Sequence, residues 1–244
     1  MLYQHQQKVN NYHLQSCYKC KVIASLKSLK ELLFPISCIS CAAPDYWLCS
    51  LCQKEWKVST KKSYIGRSPL YYKAGYSNKT AAVILSAKEN NHLAAVKLLA
   101  ESISQSILYA IEDLEIKGDI SLVTIPSSPS AIRRRGRNHI QVLAVEVQKY
   151  LGAKAVTSNI LTILTQRKNT KDQSGLNSRQ RIENTYEMFR ATSCENSQGA
   201  IFLIDDLVTT GASIMEGIRA LFEAKITVTA SITACAVGRN SLIP

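Results

Sequence analysis

Apolar and polar positions change rhythm twice along this chain of 244 residues. Up to about residue 37 the sequence is polar and basic. Its one amphipathic stretch, VIASLKSLKELLF, keeps helical spacing as far as Phe34 and then meets Pro35, which cannot continue a helix. Further on, TAAVILSAKENNHLAAVKLLAESISQSILYAIEDL predicts one long helix or two consecutive ones. From Asp119 short apolar runs alternate with amphipathic segments. ISLVTIP, the weaker NILTIL, AIFLID and ITVTASITACAV predict strands, whereas HIQVLAVEVQKYL and GASIMEGIRALFEA predict helices. SGLNSRQRIENTYEMF predicts a mobile loop closing onto a helix. Buried strands separated by amphipathic helices are the sequence form of a parallel sheet with crossover helices, so the expected class is α/β. KEWKVSTKKSYIGRSPL, basic and poor in apolar residues, predicts a connector and a boundary near residue 65. The expected organisation is a leader at 1–35, a cysteine module at 36–64 and an α/β domain at 65–244.

Composition narrows the class. A hydrophobic content of 46% supports a packed core and excludes disorder as the main state. No run approaches the roughly eighteen unbroken apolar residues of a membrane span, and the polar start lacks the apolar centre of a secretory signal. The expected location is cytoplasmic. The net charge of +12 is concentrated in residues 1–88 and 131–190, with a mildly acidic stretch between them. Two basic blocks suit a protein that meets polyanions such as diphosphates or nucleic acid, although a solvated lysine surface has the same composition.

Six of the eight cysteines form three Cys-x-x-Cys pairs before residue 53. Cys38, Cys41, Cys49 and Cys52 read Cys-x-x-Cys, seven residues, Cys-x-x-Cys, two knuckles able to surround one zinc ion with four thiolates. Cys17 and Cys20 offer an alternative pairing with Cys38 and Cys41 across a seventeen-residue gap, and the later four are favoured by their tighter loop. Four thiolates leave no open position for water, so the metal would be structural. Trp47 and Trp56 are the expected packing around a module too small for its own core. Cys194 and Cys235 stand apart, and Cys235 reads as a buried core thiol.

AIFLIDDLVTTGASIMEGIRAL carries the most chemistry. A buried strand delivers two adjacent acids to the carboxyl edge of the sheet, where open α/β folds bind ligands. Thr209, Thr210, Gly211, Ala212 and Ser213 then offer hydroxyls and backbone N–H groups at a helix N-terminus, a setting that favours phosphate. Asp205 and Asp206 suit the vicinal hydroxyls of a ribose, which donate to carboxylates. An N-capped helix with no ligand would use similar residues, but two acids ending a buried strand are costly without a purpose. IFLIDDLVTTGAS resembles, almost position by position, the signature of type I phosphoribosyltransferases.

In ISLVTIPSSPSAIRRRGRNHIQVLAVEV, Arg133, Arg134, Arg135 and Arg137 surround Gly136 just ahead of a helix. Guanidinium groups suit bidentate phosphate contacts and a departing diphosphate. The cysteine pairs, IPSSPSAIRRRGRNHIQVLA, QSGLNSRQRIENTYEMF and DDLVTTGAS occur in the order seen in the ComF family, phosphoribosyltransferase-like proteins linked to bacterial competence. The resemblance covers about residues 36–240. It assigns zinc to Cys38, Cys41, Cys49 and Cys52 and matches Lys88 to a lysine usual in the family, where a solvated helix-end lysine is the plain alternative. The chain departs from the family's Arg-Gly-Phe-Asn-Gln in having Arg137 and His139 at the third and fifth positions. His139 is therefore either a general base or a capping residue at a helix start.

The resemblance implies a type I phosphoribosyltransferase-like domain behind a zinc-ribbon-like module. It would bind phosphoribosyl diphosphate with Mg²⁺ and transfer the phosphoribosyl group to a nitrogen nucleophile. Asp205 and Asp206 would hold the ribose, residues 209–213 the 5-phosphate, and Arg133, Arg134, Arg135 and Arg137 the diphosphate. The second expectation is a non-catalytic competence factor that touches single-stranded DNA through the basic, aromatic KEWKVSTKKSYIGRSPLYYK and works with a helicase partner. No helix-turn-helix pattern supports a transcriptional sensor.

Overall fold

The computed structural model describes residues 36–167, 187–193 and 199–238. The leader with Cys17 and Cys20, Cys194, and most of the segment read as a mobile loop lie outside the described residues. By density of internal contacts the chain divides into two units, residues 1–49 and 50–244.

In the first unit the described residues form a tight reversal. The Cys38 N–H donates to Ala43 O at 2.7 Å and the Ala42 N–H to Cys38 O at 2.8 Å, with Ala42 at φ 60°. Ser37 and Pro44 bridge across it. Leu48 and Cys49 are buried, and Trp47 is half-buried.

The second unit opens on a single helical turn, α1 (Ser50–Gln53), and continues β1 (Lys61–Ile65), β2 (Ser68–Gly75), α2 (Asn78–Asn90), α3 (Leu93–Asp113), β3 (Ile120–Thr124), α4 (Pro129–Arg135), α5 (His139–Gly152), β4 (Ser158–Leu161), β5 (Leu164–Gln166), β6 (Phe189–Ala191), β7 (Ala200–Val208), α6 (Ala212–Glu223) and β8 (Ala230–Ala236). Six strands make one sheet in the order β1-β2-β8-β7-β3-β4, parallel throughout except for the β1–β2 hairpin, while β5 and β6 pair as a separate antiparallel ribbon. The chain is thus a mixed α/β protein with a mostly parallel central sheet and flanking helices.

Alternation along the strands sorts the two faces. Val123, Ile201 and Leu203 pack with Ile214, Ala220 and Leu221 of α6 and with Leu164 and Phe189 of the ribbon. The intervening Leu122, Phe202 and Ile204 are also fully buried, and α3 and α5 pack against the strands and each other on that side. Burial on both faces is why every residue of β3 and β8 is apolar or a small hydroxyl, with no charged position in either strand. Helix α3 is long and apolar enough to cross a membrane, yet 56% of that window is buried and it serves as a core helix against β2, β8 and α5.

Three elements differ from the sequence reading. The connector forms the β1–β2 hairpin around Gly66 at φ 58°, a sheet edge whose exposed Lys61, Lys62 and Tyr64 hide its strand character. Of the two readings of the long helical pattern, the structure has the two consecutive helices, parted at Asn91, which adopts φ 53° and ends α2. NILTIL divides: its first part pairs with β3 as β4, and its end pairs with β6 as β5. The acids do not follow β7 but lie inside it, because Asp205, Leu207 and Val208 continue the register with Thr233, Cys235 and Ala236.

Candidate functional site

Helices follow β3 and β7 in opposite directions across the sheet: β3 leads through α4 and α5 to β4 on one side, and β7 leads through α6 to β8 on the other. A crevice opens beyond the carboxyl ends of strands at such a switch point. A cavity of about 320 Å³ occupies this position, lined by Ile125 to Ser128 after β3, by Arg135 and His139, by Lys88 at the end of α2, by Asp205 and Asp206 near the end of β7, and by Thr209 and Ser213 beyond it.

Asp206 is 3% exposed, and its Oδ2 meets Lys88 Nζ and His139 Nε2, each at 3.1 Å. Burial works against its ionised form, but the Lys88 charge and the His139 hydrogen bond outweigh this and hold the carboxyl well below the usual aspartate range. Asp205 sits beside it, half-buried, with Oδ1 accepting the Asp206 N–H at 2.8 Å. Burial and then the Asp206 charge push the Asp205 carboxyl well above its ordinary range. Two adjacent, chemically equal acids are therefore made unequal. Burial disfavours the Lys88 ammonium, but the two carboxylates reverse that and raise its pKa.

The loop after β7 places Thr209 and Ser213 on the cavity, while Thr210 is buried and accepts the Ala212 N–H on Oγ1 at 3.4 Å. Gly211 starts α6 at φ 79° and supplies no side-chain cap, whereas Ser77, His92 and Ser128 cap α2, α3 and α4. A Cβ at Gly211 would lie 3.2 Å from Ile65, so the glycine answers to both the left-handed backbone and the packing against β1. Gly211→Ala is expected to lower unfolding free energy by about 1–2 kcal/mol, readable in a denaturant titration.

The arginines separate. Arg135 lines the cavity, donates to Glu89 Oε1 through Nε at 3.0 Å and Nη2 at 2.8 Å, and points Nη1 at His139 Nδ1 at 3.3 Å. Arg134 is exposed and pairs with Glu89, and Arg133 is exposed. Arg137 turns away from the cavity and donates to the carbonyls of Ala87 and Lys88, fastening the α4–α5 turn to the end of α2. Sequence reasoning gives no role to the serines after β3 or to Glu89. No local signal joins residue 89 to residue 135, since the pairing exists only once α2 and α4 lie side by side.

Cys38, Cys41, Cys49 and Cys52 bring their sulfurs within 4.8 Å of one another, and no described cysteine is in a disulfide. Zinc–sulfur bonds of about 2.3 Å in a tetrahedron set sulfurs about 3.8 Å apart, so this cluster fits a metal ion such as zinc after small adjustment. The Cys49 N–H points at Cys38 Sγ at 3.4 Å. Burial raises the Cys38 thiol, but N–H groups of Cys49, Ser40 and Cys41 bring it down to about 6. Cys235 is fully buried and is pushed up to about 12 by that burial.

Of the connector lysines, Lys62 donates to Asp113 at 2.6 Å, beside the Tyr71 hydroxyl, and Lys61 lies over the Tyr72 ring. No protein-family model matches the chain, and no curated protein matches its sequence.

Proposed function

We propose that the α/β domain is a ComF-like, type I phosphoribosyltransferase domain that binds phosphoribosyl diphosphate or a closely related phosphorylated ribose. The observation that carries this is the meeting of three features on one cavity at the switch point: the Asp205–Asp206 pair, the uncapped start of α6, and the cations Lys88 and Arg135. Each answers a different part of the ligand. The Asp205 and Asp206 carboxyls suit vicinal ribose hydroxyls. Backbone N–H groups and the hydroxyls of Thr209 and Ser213 suit a 5-phosphate at a helix N-terminus. Arg135 suits the diphosphate, with Arg133 and Arg134 on the exposed side of the same short helix.

The described carboxylates assemble no three-ligand metal cluster. Mg²⁺ would therefore enter on the diphosphate oxygens rather than in a protein cage, where it would neutralise leaving-group charge. The corresponding reaction is transfer of the phosphoribosyl group to a nitrogen nucleophile. Zinc held by Cys38, Cys41, Cys49 and Cys52 would be structural.

Calorimetric titration of the zinc-loaded protein with phosphoribosyl diphosphate and Mg²⁺ tests the reading. Micromolar binding is expected, and Asp205→Asn should weaken it roughly ten- to hundredfold, the worth of a hydrogen bond to a charged group. The same variant should be more stable than the parent without ligand at neutral pH. A carboxyl raised in the folded state supports folding only at low pH and loses that contribution as pH rises through its folded pKa, a loss that asparagine does not suffer. Absence of binding by the unsubstituted protein would overturn the proposal.

A further inference from the structure

We propose that Ser127, His139 and Asp206 form a proton relay opening on the cavity, in which His139 is the base reached through the Ser127 hydroxyl. This rests on the phosphoribosyl reading above and deepens it by naming the path of the nucleophile's proton. The contacts run in series: Ser127 Oγ to His139 Nδ1 at 3.1 Å, then His139 Nε2 to Asp206 Oδ2 at 3.1 Å.

The partners of His139 assign its tautomer. An ionised Asp206 only accepts, so Nε2 carries the hydrogen. Arg135 only donates, so Nδ1 presents its lone pair, and the Ser127 hydroxyl is then a donor to it. Ser127 and His139 both line the cavity, but the His139 side chain is only 10% exposed and its Nδ1 faces Ser127 Oγ, so the serine is the imidazole's outlet to a ligand. The surrounding charges all bear on this pair. Asp206 from β7 stabilises a protonated ring, and Lys88 from α2 moderates that through the same oxygen. Asp205 lies next along β7, and Arg135 from α4 opposes a proton on Nδ1 while Glu89 holds the guanidinium. An arriving diphosphate competes for Arg135 and so removes the opposing charge.

Neutralising Asp206 requires only Lys88. A second partner whose far nitrogen faces a cavity hydroxyl is an arrangement for moving a proton. In the step, the lone pair of the nucleophile forms a bond to the anomeric carbon, and the carbon–oxygen bond breaks with its electron pair leaving on diphosphate. The nucleophile's proton passes to Ser127 Oγ as the serine's own proton passes to His139 Nδ1. The imidazolium, held by Asp206, then releases its proton to solvent.

The test uses the zinc-loaded full chain with phosphoribosyl diphosphate and Mg²⁺, water as the nucleophile, and diphosphate release followed against pH. His139→Gln keeps a donor for Asp206 but offers no base. It should bind phosphoribosyl diphosphate within about twofold of the parent, release diphosphate roughly hundredfold or more slowly, and lose the parent's dependence of rate on pH. Ser127→Ala should fall similarly and Ser127→Thr should recover, so the idea survives even if one substitution unfolds the protein. Unchanged rates and pH profile in both His139→Gln and Ser127→Ala would overturn the relay while leaving the binding reading intact. Binding without any diphosphate release by the parent would also overturn the relay alone, whereas no binding would sink the reading beneath it.

Discussion

Removing zinc, or replacing Cys52 with serine, is expected to abolish the ordered structure of residues 36–52. Little else holds that segment. Among its described residues only Cys38, Leu48, Cys49 and Cys52 are buried, and three of those four are the proposed ligands. One isolated bridge, a few turn hydrogen bonds and the single helical turn α1 make up its backbone structure. Structural zinc in small modules contributes about 10–16 kcal/mol of apparent binding energy, far more than one leucine can replace. The expected readout is one zinc per chain, released when the thiols are modified, followed by rapid proteolysis within residues 36–52. The far-ultraviolet signal should persist, since the α/β core has its own continuous set of buried residues. Unchanged protease resistance after complete chelation would show that the cysteines hold no structural metal.

Gly217→Val is expected to destabilise the α/β unit through the packing of α6 on the sheet. A single Cβ at this position would lie 2.8 Å from Ile125 Cδ1, 3.1 Å from Leu203 and 3.4 Å from Leu164, before the two further methyl carbons of valine are counted. These neighbours belong to the chain just after β3, to β7 and to β5, so no single side chain can yield without disturbing three elements. Overpacking of a dense core costs about 1–3 kcal/mol, and the helix must move away from the sheet to relieve it. A fall in melting temperature on the order of 5–10 °C is the expected result for a unit of this size. Because α6 carries the 209–213 loop at its start, phosphoribosyl diphosphate affinity should fall with it. A melting temperature unchanged by the substitution would mean that α6 does not sit this close to the sheet.

The comparison with Gly211 shows how differently two glycines of one motif are legible. Gly211 stands in DDLVTTGAS, where a turn is needed, and its positive φ follows from that local demand. Gly217 lies inside a helical pattern where glycine is merely unfavourable, and its purpose appears only with Ile125 and Leu203 in place. Glu216 is similar. It reads as a helix-surface acid, yet it is buried, accepts the Phe189 N–H at 3.1 Å and anchors Arg219, which in turn donates to Phe189 O at 3.1 Å. Helix α6 thereby grips the edge of β6 through both polar backbone groups of one residue.

What the sequence determined by itself was whatever depends on short range. Short runs rich in apolar residues, broken only by small hydroxyl side chains in β3 and β8 and by the two acids in β7, made those three strands, because strands covered on both faces carry little polar surface. Helical periodicity made α5 and α6, and the spacing of Cys38, Cys41, Cys49 and Cys52 set four sulfurs within reach of one another. The two adjacent acids and the Thr-Thr-Gly turn marked the carboxyl edge of one strand. Tertiary structure alone decided which charged residues face that edge. It brought Lys88 and His139 to Asp206, turned Arg135 toward the cavity and Arg137 onto the end of α2, and made Asp205 and Asp206 unequal acids. The reason is physical: a local pattern records which face of an element is buried, whereas the partner of a buried charge is set by the packing of elements far apart in the chain.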